Sequence, residues 1–233
     1  MRHELRRREL VVASVTPLGG HFVSVIMTGA ALDDFVSLGF DDHVKFMLAD
    51  DAAGEPVRRD YTPRHYDAQS RQLTIEFALH GHGAASDWAR NVTPGQSATI
   101  GGPRGSMIVP PDFDWHLLVA DATGLPAVRR RLEELPAGTR ALVVALVDAS
   151  DRILPETQAQ LDVHWADDAD GLVAAVQALT LPAGEGYAWG GGEAAMMKRV
   201  RDVLADEKSV PKEAMRISAY WKKGAADFHE DLG

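Results

Sequence analysis

The chain has 233 residues, of which 45% are hydrophobic, and its formal net charge is −10 at pH 7. This length suits one large globular domain or two modest ones. The acidic balance argues against nonspecific nucleic-acid binding, which depends on lysine and arginine side chains that neutralise phosphates. Because the sequence has no cysteine, it excludes disulfides, thiolate metal sites, iron–sulfur clusters and catalytic thiols. Any redox chemistry therefore needs a bound cofactor.

The sequence shows no sign of secretion or of a membrane span. Its first ten residues, MRHELRRREL, lack the apolar core of a secretory signal. The longest apolar run, residues 141–147, is too short to cross a bilayer. We therefore predict a soluble, cytoplasmic protein.

The first half of the chain is typical of an antiparallel β domain. Short runs rich in β-branched residues cover positions 10–16, 21–28, 43–49 and 72–79, with Gly, Pro and Asp clusters between them. This spacing predicts a small closed barrel. One helix is predicted over residues 85–92, where Ser86 can act as a cap and Pro94 follows.

The second half, from His116 onward, has the pattern of an α/β domain. Strand-like segments at 116–121, 140–147 and 186–190 alternate with helix-like segments at 124–136, from about 148 to 161, and at 193–207. Buried apolar strands that alternate with helices indicate a doubly wound parallel sheet. We predict a β-barrel domain over residues 1–112 and an α/β domain over residues 113–233, the latter ending in the YWKKG segment.

The stretch RRDYTPRHYD, residues 58–67, contains the spacing Arg59-x-Tyr61-Thr62-x-Arg64. An arginine can bind a phosphate with two hydrogen bonds, a tyrosine offers a flat face, and a threonine adds a short hydroxyl. Together they suit a ligand that has both a planar ring and phosphates. The alternative is a charged, solvated strand edge in which Tyr61 is merely half buried.

The next stretch, HGHGAASDW at residues 80–88, places glycines and small residues directly before a predicted helix. Such a helix start presents backbone N–H groups to an anion. His80 and His82 alternate along an extended segment, but no third ligand stands nearby, so we predict no metal site. GGPRG, residues 101–105, reads as a tight turn between strands.

These motifs resemble the flavin-binding signature of the ferredoxin-reductase-like flavoproteins. Within that superfamily the chain is similar to the siderophore-interacting proteins, which are ferric-siderophore reductases. The resemblance extends from about residue 11 to residue 224. Its further stretches are DHVKFML, HGHGAASDWA with PGQSATIGGPRG, ADATGLPAV, and AWGGGEAAMMKRVR with AYWKKG.

The resemblance implies an FAD site in the first domain. Tyr61 would stack on the isoalloxazine, Thr62 would face its polar edge, and Arg59 and Arg64 would neutralise charge on the cofactor. The backbone of a second group of residues would hold the pyrophosphate: Gly83, Ala84, Ala85 and Ser86. His80 and Trp88 would support the ribityl or adenine portion.

The resemblance also implies a pyridine-nucleotide site in the second domain. That domain lacks the G-x-G-x-x-G fingerprint after its first strand and has DATGLPA there instead. Asp121, Thr123 and Gly124 would contact the nicotinamide side and the phosphates, although an ordinary capped helix start explains the same residues. Gly191 and Glu193, in WGGGEAAM, would form the second contact.

Two further predictions concern charge. Arg152, after a strand, is a candidate for the 2′-phosphate that distinguishes NADPH from NADH. An anionic ferric chelate needs local positive charge in this acidic chain. The candidates for chelate binding are Lys45, Arg104, Lys222 and Lys223. Each of them alone could be a solvated surface charge.

The predicted function is an FAD-dependent reductase that passes electrons from NADPH or NADH through flavin to the ferric iron of a siderophore, releasing Fe(II) in the cytoplasm. Because the flavin handles the electrons, no side chain is assigned as acid, base or nucleophile. Two alternatives stay open. One is another flavin or ferric-chelate reductase, or an electron-transfer flavoprotein fed by ferredoxin. The other is a siderophore-binding protein without turnover.

Overall fold

The structure is a computed structural model that describes residues 1–48, 57–79, 83–225 and 230–232. The chain divides into two compact units, Met1–Val109 and Pro110–Gly233. We call them unit 1 and unit 2, and each is described by itself.

Unit 1 is a seven-stranded antiparallel sheet with one helix. The strands follow the order β4-β3-β7-β1-β2-β6-β5. Their bounds are β1 Arg7–Leu18, β2 Phe22–Thr28, β3 Val44–Met47, β4 Arg58–Tyr61, β5 His65–Asp67, β6 Gln72–Ala78 and β7 Ser97–Gly101. The helix, α1, covers Ala84–Asn91 between β6 and β7.

The sheet of unit 1 curls so that its two ends approach each other. β4 stands at one end of the strand order, and it contacts β6, which lies next to the other end. Along β1, exposed and buried residues alternate, which places Leu10 and Val12 inside. The inner face packs into one apolar core. The predicted barrel-like antiparallel domain is confirmed.

Unit 2 is a six-stranded sheet in the order β10-β9-β8-β11-β12-β13. Its strands are β8 Trp115–Asp121, β9 Arg140–Leu146, β10 Gln160–Ala166, β11 Gly186–Glu193, β12 Met215–Trp221 and β13 Glu230–Asp231. All pairings are parallel except that of β13 with β12. The helices are α2 Leu125–Glu134, α3 Ala169–Ala178 and α4 Ala194–Asp202, which continues as a π-helical turn over Val203–Glu207.

Helices cover both faces of this sheet. Every residue of β8 is buried, as expected for a central parallel strand. The apolar faces of α3 and α4 pack on one side, in a core with Leu117, Val119 and Ile217. The helix α2 contacts β8 and β9 and buries Leu125, Val128 and Leu132 away from that core. The predicted doubly wound sheet is therefore confirmed.

The strand order of unit 2 reverses between β8 and β11. From β8 the chain proceeds outward through β9 to β10, and then returns to add β11 and β12 on the other side of β8. The loops that leave the carboxyl ends of β8 and β11 therefore diverge to opposite faces. In open α/β sheets, this is the crevice where ligands bind.

One predicted element is wrong. The helix expected from about residue 148 to 161 is a short 3-10 turn, Ala149–Asp151, then irregular chain, then the start of β10. Pro155 cannot donate a helical hydrogen bond and disfavours helix in the residue before it. The buried guanidinium of Arg129 binds this segment instead, with 2.9 Å from its Nε to the carbonyl of Ile153.

The structure contains no helix, over the parts of the chain it describes, that has the length and apolar character needed to cross a bilayer.

Candidate functional site

In unit 1, Arg59 and Tyr61 lie on the same face of β4 because they are two residues apart. Across the ladder, Tyr61 pairs with Val44 and Arg59 pairs with Phe46. Both partners on β3 are buried core residues. The predicted cofactor residues of β4 therefore stand over the apolar core rather than along the solvent side of the sheet.

Tyr61 belongs to an aromatic cluster, which we define as Phe46, Tyr61, Phe77 and Trp88. The Tyr61 ring lies 4.4 Å from Phe77 and 6.0 Å from Phe46, centroid to centroid. Trp88, from α1, lies 4.6 Å from Phe46 and 5.3 Å from Phe77. The two phenylalanines are fully buried, whereas Tyr61 and Trp88 are half-buried. The cluster therefore presents two aromatic side chains on a rigid apolar base.

The environment of Tyr61 also fixes its protonation state. Burial raises the pKa of the Tyr61 hydroxyl well above its usual range, although the nearby Arg59 guanidinium acts in the opposite direction. The hydroxyl therefore stays protonated at physiological pH and can act as a hydrogen-bond donor.

Thr62 and Arg64, the other two residues of the motif, are buried. The Nε of Arg64 lies 3.2 Å from a carboxylate oxygen of Glu76 on β6, and both side chains are at most 10% exposed. An internal carboxylate thus compensates the Arg64 charge. Arg64 therefore helps to hold β6 in place, in addition to being part of the Arg59-x-Tyr61-Thr62-x-Arg64 motif.

The residue before α1 is Gly83, the N-cap, whose backbone is extended (φ −170°). Because Gly83 has no side chain, the N-cap residue contributes no side-chain hydrogen bond to the first turn. A methyl group built on Gly83 would meet nothing within 4 Å, and Ala84 is exposed while Ala85 and Ser86 are buried. The first-turn N–H groups of a helix carry partial positive charge and suit an anion. His80 and His82 lie outside the described residues.

In unit 2, the predicted nucleotide residues meet at the reversal point of the sheet. We call this group, together with the neighbouring Gly192, the carboxyl-edge site, and it comprises Asp121, Thr123, Gly124, Gly191, Gly192 and Glu193. Its centre is the buried carboxylate of Asp121 at the end of β8. One carboxylate oxygen accepts from the backbone N–H (2.8 Å) and the hydroxyl of Thr123. The other accepts from the backbone N–H of Glu193 at 2.9 Å and the indole Nε1 of Trp221 at 2.8 Å.

Glycines allow the backbones of this site to approach closely. A methyl group on Gly124 would lie 2.4 Å from the carbonyl oxygen of Gly191, and one on Gly192 would lie 2.8 Å from the Asp121 carboxylate. Neither distance is tolerable for a real side chain. The first turn of α2 therefore contacts the end of β11 directly.

Glu193 has a local structural role as well. Its carboxylate accepts a hydrogen bond from the backbone N–H of Met196 at 3.0 Å and caps α4. Met196 and Met197 are buried in the core. The carboxylates of Asp121 and Glu193 thus accept hydrogen bonds from the protein itself. The groups of this site that could contact a ligand are backbone groups and the first turns of α2 and α4.

Arg152 lies after β9, near the carboxyl end of β10. Its guanidinium pairs with Asp167 and lies 6.0 Å from the ring centroid of Trp165. The side chain remains 28% exposed. A flat ring and an adjacent cation suit the adenosine end of a nucleotide, which leaves Arg152 a proposed contact for the 2′-phosphate.

The four cationic residues expected to bind the chelate have different settings. Lys45 lies on the face of β3 opposite Phe46, and its Nζ is 2.7 Å from a carboxylate oxygen of Asp60. It therefore faces away from the aromatic cluster. Arg104 is exposed in the turn after β7. Lys222 and Lys223 are exposed directly after β12, at the carboxyl edge of the parallel sheet.

Sequence reasoning missed Trp221 and Gly192. The sequence signal for Trp221 is weak but present: an aromatic pair ends the last long strand and two lysines follow. Nothing in the sequence indicates that its indole binds a carboxylate 100 positions away. Gly192 is one of three consecutive glycines, and only the structure shows that it faces Asp121.

Two family models match the chain. The model described as "Siderophore-interacting FAD-binding domain" matches residues 51–107, and the model described as "Siderophore-interacting protein" matches residues 113–224. A curated relative from Escherichia coli K12, named NADPH-dependent ferric-chelate reductase, is 35% identical over 95% of each chain. Ferric vibriobactin reductase ViuB from Vibrio cholerae is 27% identical over 91% of this chain and 88% of its own length.

A solved structure agrees with these matches. The crystal structure of a siderophore utilization protein from T. fusca superposes with a TM-score of 0.90 at 29% identity. The match covers 98% of this chain and 97% of that one. The likeness therefore includes both units and is not confined to a shared subdomain.

Proposed function

The chain belongs to the siderophore-interacting protein family, and from this premise we propose that it is an FAD-dependent reductase that uses NADPH to reduce ferric iron held by a siderophore or another chelate. The observation that carries the proposal is that one chain contains both an aromatic cluster beside an uncapped helix start and a glycine-lined site at a sheet reversal. The first suits a flavin and the second suits a pyridine nucleotide.

The residues of unit 1 fit FAD in their chemistry. We propose that Tyr61 and Trp88 offer aromatic surface to its ring systems, and that the start of α1 receives its pyrophosphate. Arg59 supplies positive charge from the same face of β4 as Tyr61. The buried pair of Arg64 and Glu76 keeps β6, and with it Phe77, in position beneath Tyr61.

The residues of unit 2 fit NADPH. The proposed contacts are the first turn of α2, which begins at Gly124, and the end of β11 around Gly191. Glycine at both positions brings the two backbones close together, since a methyl group on Gly124 would lie 2.4 Å from the carbonyl oxygen of Gly191. Arg152 would pair with the 2′-phosphate, in exchange for or together with Asp167.

The overall reaction is NADPH with two ferric ions giving NADP⁺, a proton and two ferrous ions. When bound, FAD accepts two electrons from the nicotinamide and returns them one at a time, which one-electron acceptors such as iron require. The chain itself binds, orients and shields the reactants. Iron leaves the chelate after reduction because hard oxygen donors hold Fe(II) less tightly than Fe(III).

The visible absorption spectrum of the purified protein, recorded after incubation with FAD and desalting, tests the first half of this proposal. We expect retained flavin absorption in the wild type and in Tyr61→Phe, which keeps the ring, and loss of it in Tyr61→Ala. Retention of flavin by Tyr61→Ala at the wild-type level would contradict the assigned role of Tyr61.

The second half is tested by adding NADPH anaerobically and then a ferric chelate, with a ferrous-specific dye as the indicator. We expect NADPH to bleach the flavin and the chelate to restore its colour while the dye reports Fe(II). Bleaching by reduced ferredoxin but not by NADPH would favour the ferredoxin-fed alternative. A folded protein that binds ferric siderophore but retains no flavin would favour a binding protein without turnover.

We further propose that the Fe(II) is released in the cytoplasm, where NADPH is regenerated. Cell fractionation followed by an assay of NADPH-dependent ferric reduction in each fraction tests this location.

A further inference from the structure

We propose that Asp121 and Trp221 are positioning residues for the electron acceptor: their hydrogen bond fixes the Lys222-Lys223 segment at the edge of the sheet where anionic ferric chelates bind. This inference rests on the reductase function proposed above. It gives Asp121 a second role, at the end of β12, in addition to its role in the loop after β8.

The carboxylate of Asp121 lies at the centre of a hydrogen-bond network. Its two carboxylate oxygens accept four hydrogen bonds from three residues, Thr123, Glu193 and Trp221. Those residues belong to the loop after β8, the end of β11 and the end of β12. Because β11 lies between β8 and β12, the carboxylate reaches across the end of β11 to the indole. One side chain therefore joins the ends of three neighbouring strands.

Trp221 combines exposure to solvent with a fixed hydrogen bond. It is the last residue of β12 and is 41% exposed, although it carries a large apolar ring. An exposed side chain at a strand end has many rotamers open to it. The indole N–H bonded to a buried carboxylate selects one of them, since a charged acceptor makes a strong hydrogen bond.

A short turn follows Trp221 in the chain. Lys222 and Lys223 come directly after the fixed indole, and the N–H of Ala225 returns to the carbonyl of Lys222 at 3.1 Å. Gly224 in this turn has φ +82°, a conformation that glycine adopts without strain. The turn is short, so the direction in which both lysines project depends on where Trp221 is held.

The charge of the two lysines is opposite to the net charge of the chain. The chain has a net charge of −10, so an anionic chelate is repelled by the protein as a whole. Two exposed lysines at the carboxyl edge provide local attraction, and its strength falls with distance. Holding the pair in place therefore lowers KM for an anionic acceptor without altering the binding of NADPH.

The test uses steady-state kinetics of the FAD-loaded protein with ferric citrate as the anionic probe and neutral ferric tris(acetohydroxamate) as the matched acceptor. Trp221→Phe keeps the ring and removes the donor. We expect it to raise KM for ferric citrate roughly fivefold, with kcat, KM for NADPH and KM for the neutral chelate unchanged. A rise in KM for NADPH, or equal rises for both chelates, would overturn the proposal.

A double-mutant cycle tests whether Trp221 acts through the lysines. The pair Lys222→Gln with Lys223→Gln should raise KM for ferric citrate, and adding Trp221→Phe should then have little further effect. Lys212→Gln is the charge-matched control, because Lys212 is exposed and precedes β12, at the opposite edge of the sheet. Independent, multiplicative effects in the cycle would overturn the proposal.

Hydrogen–deuterium exchange provides a readout that needs no turnover. Exchange over residues 220–225 should speed up in Trp221→Phe and in Asp121→Asn, which replaces one accepting oxygen by an amide donor. Unchanged exchange in both variants would refute the positioning role. If the wild type fails to reduce either chelate while the variants still show faster exchange, the proposed function fails and the positioning of the segment stands.

Discussion

The aromatic cluster of unit 1 and the carboxyl-edge site of unit 2 are built from different materials. The cluster consists of side chains: two half-buried aromatics rest on two buried phenylalanines. The carboxyl-edge site consists mainly of backbone, brought together by glycines and joined by one buried carboxylate. The aromatic cluster is therefore sensitive to the removal of side-chain atoms, whereas the carboxyl-edge site is sensitive to the addition of them.

The difference follows from the ligands each site is proposed to bind. A flavin ring system needs large flat contacts, which only aromatic side chains supply in quantity. Nucleotide phosphates need backbone N–H groups at short range, which any side chain would obstruct. A glycine-to-alanine change should therefore be mild at the start of α1 in unit 1 and severe at the carboxyl-edge site of unit 2.

The largest effect that we expect in unit 1 comes from Arg64→Ala. It leaves the buried carboxylate of Glu76 without its ion-pair partner, which should lower the free energy of unfolding by about 4 kcal/mol. Chemical denaturation measures this. Arg59→Ala, on β4 and half-buried, is the control and should cost far less.

A double variant sharpens this prediction. Arg64→Met with Glu76→Leu removes both charges and should recover much of the lost stability, because an apolar pair needs no compensation. If Arg64→Ala is no more destabilising than Arg59→Ala, the ion pair does not stabilise unit 1 and does not hold β6 in place.

In unit 2 the next effect comes from adding a single methyl group. Gly124→Ala would place a carbon 2.4 Å from the carbonyl oxygen of Gly191 and 3.1 Å from the Ala120 side chain. We expect a loss of about 3 kcal/mol in the free energy of unfolding. Gly83→Ala, the matched change in unit 1, meets nothing within 4 Å and should cost less than about 1 kcal/mol. Similar losses for both variants would erase the contrast between the two sites.

The smallest effect depends on pH and arises at the other end of β8. Burial and the nearby Arg131 lower the pKa of His116 from its ordinary 6.5 to about 4. The neutral ring is favoured in the folded state, so this site costs stability only as pH falls below 6.5. We expect unit 2 to lose about 2 kcal/mol between pH 7.5 and pH 5.

Denaturation of the wild type and of His116→Gln at both pH values measures this loss, since glutamine does not titrate. The wild type should lose about 2 kcal/mol more than the variant over that interval. An equal loss in the two proteins would mean that His116 does not resist protonation and that acid acts elsewhere.

Much of the fold was predictable because its signals are local. The β-branched runs of the first half become β1, β2, β3 and β6, and the glycines and small residues before Trp88 do lead into a helix. The expected helix over 148–161 failed because Pro155 interrupts it and because Arg129, on α2, binds the backbone of that segment. Its periodicity gave no sign of this partner.

The proposed sites divide in the same way. Arg59, Tyr61, Thr62 and Arg64 form a motif of adjacent residues, and their types alone indicate a ring and phosphates. That Lys45 faces away from Tyr61 follows from the alternation of β3 and its pairing with β4, which a single strand's sequence leaves undetermined. The bond between Asp121 and Trp221 joins residues 100 positions apart.

The sequence by itself determined the order of the domains, the motifs proposed to bind each ligand and the need for a borrowed redox cofactor, because these depend on residue type and short spacing. Only the tertiary structure decided which charges are already paired, where glycines let two backbones touch, and that one carboxylate joins the ends of three strands. Those features depend on residues far apart in the chain that meet only when the sheet is assembled, and no local pattern encodes such a meeting.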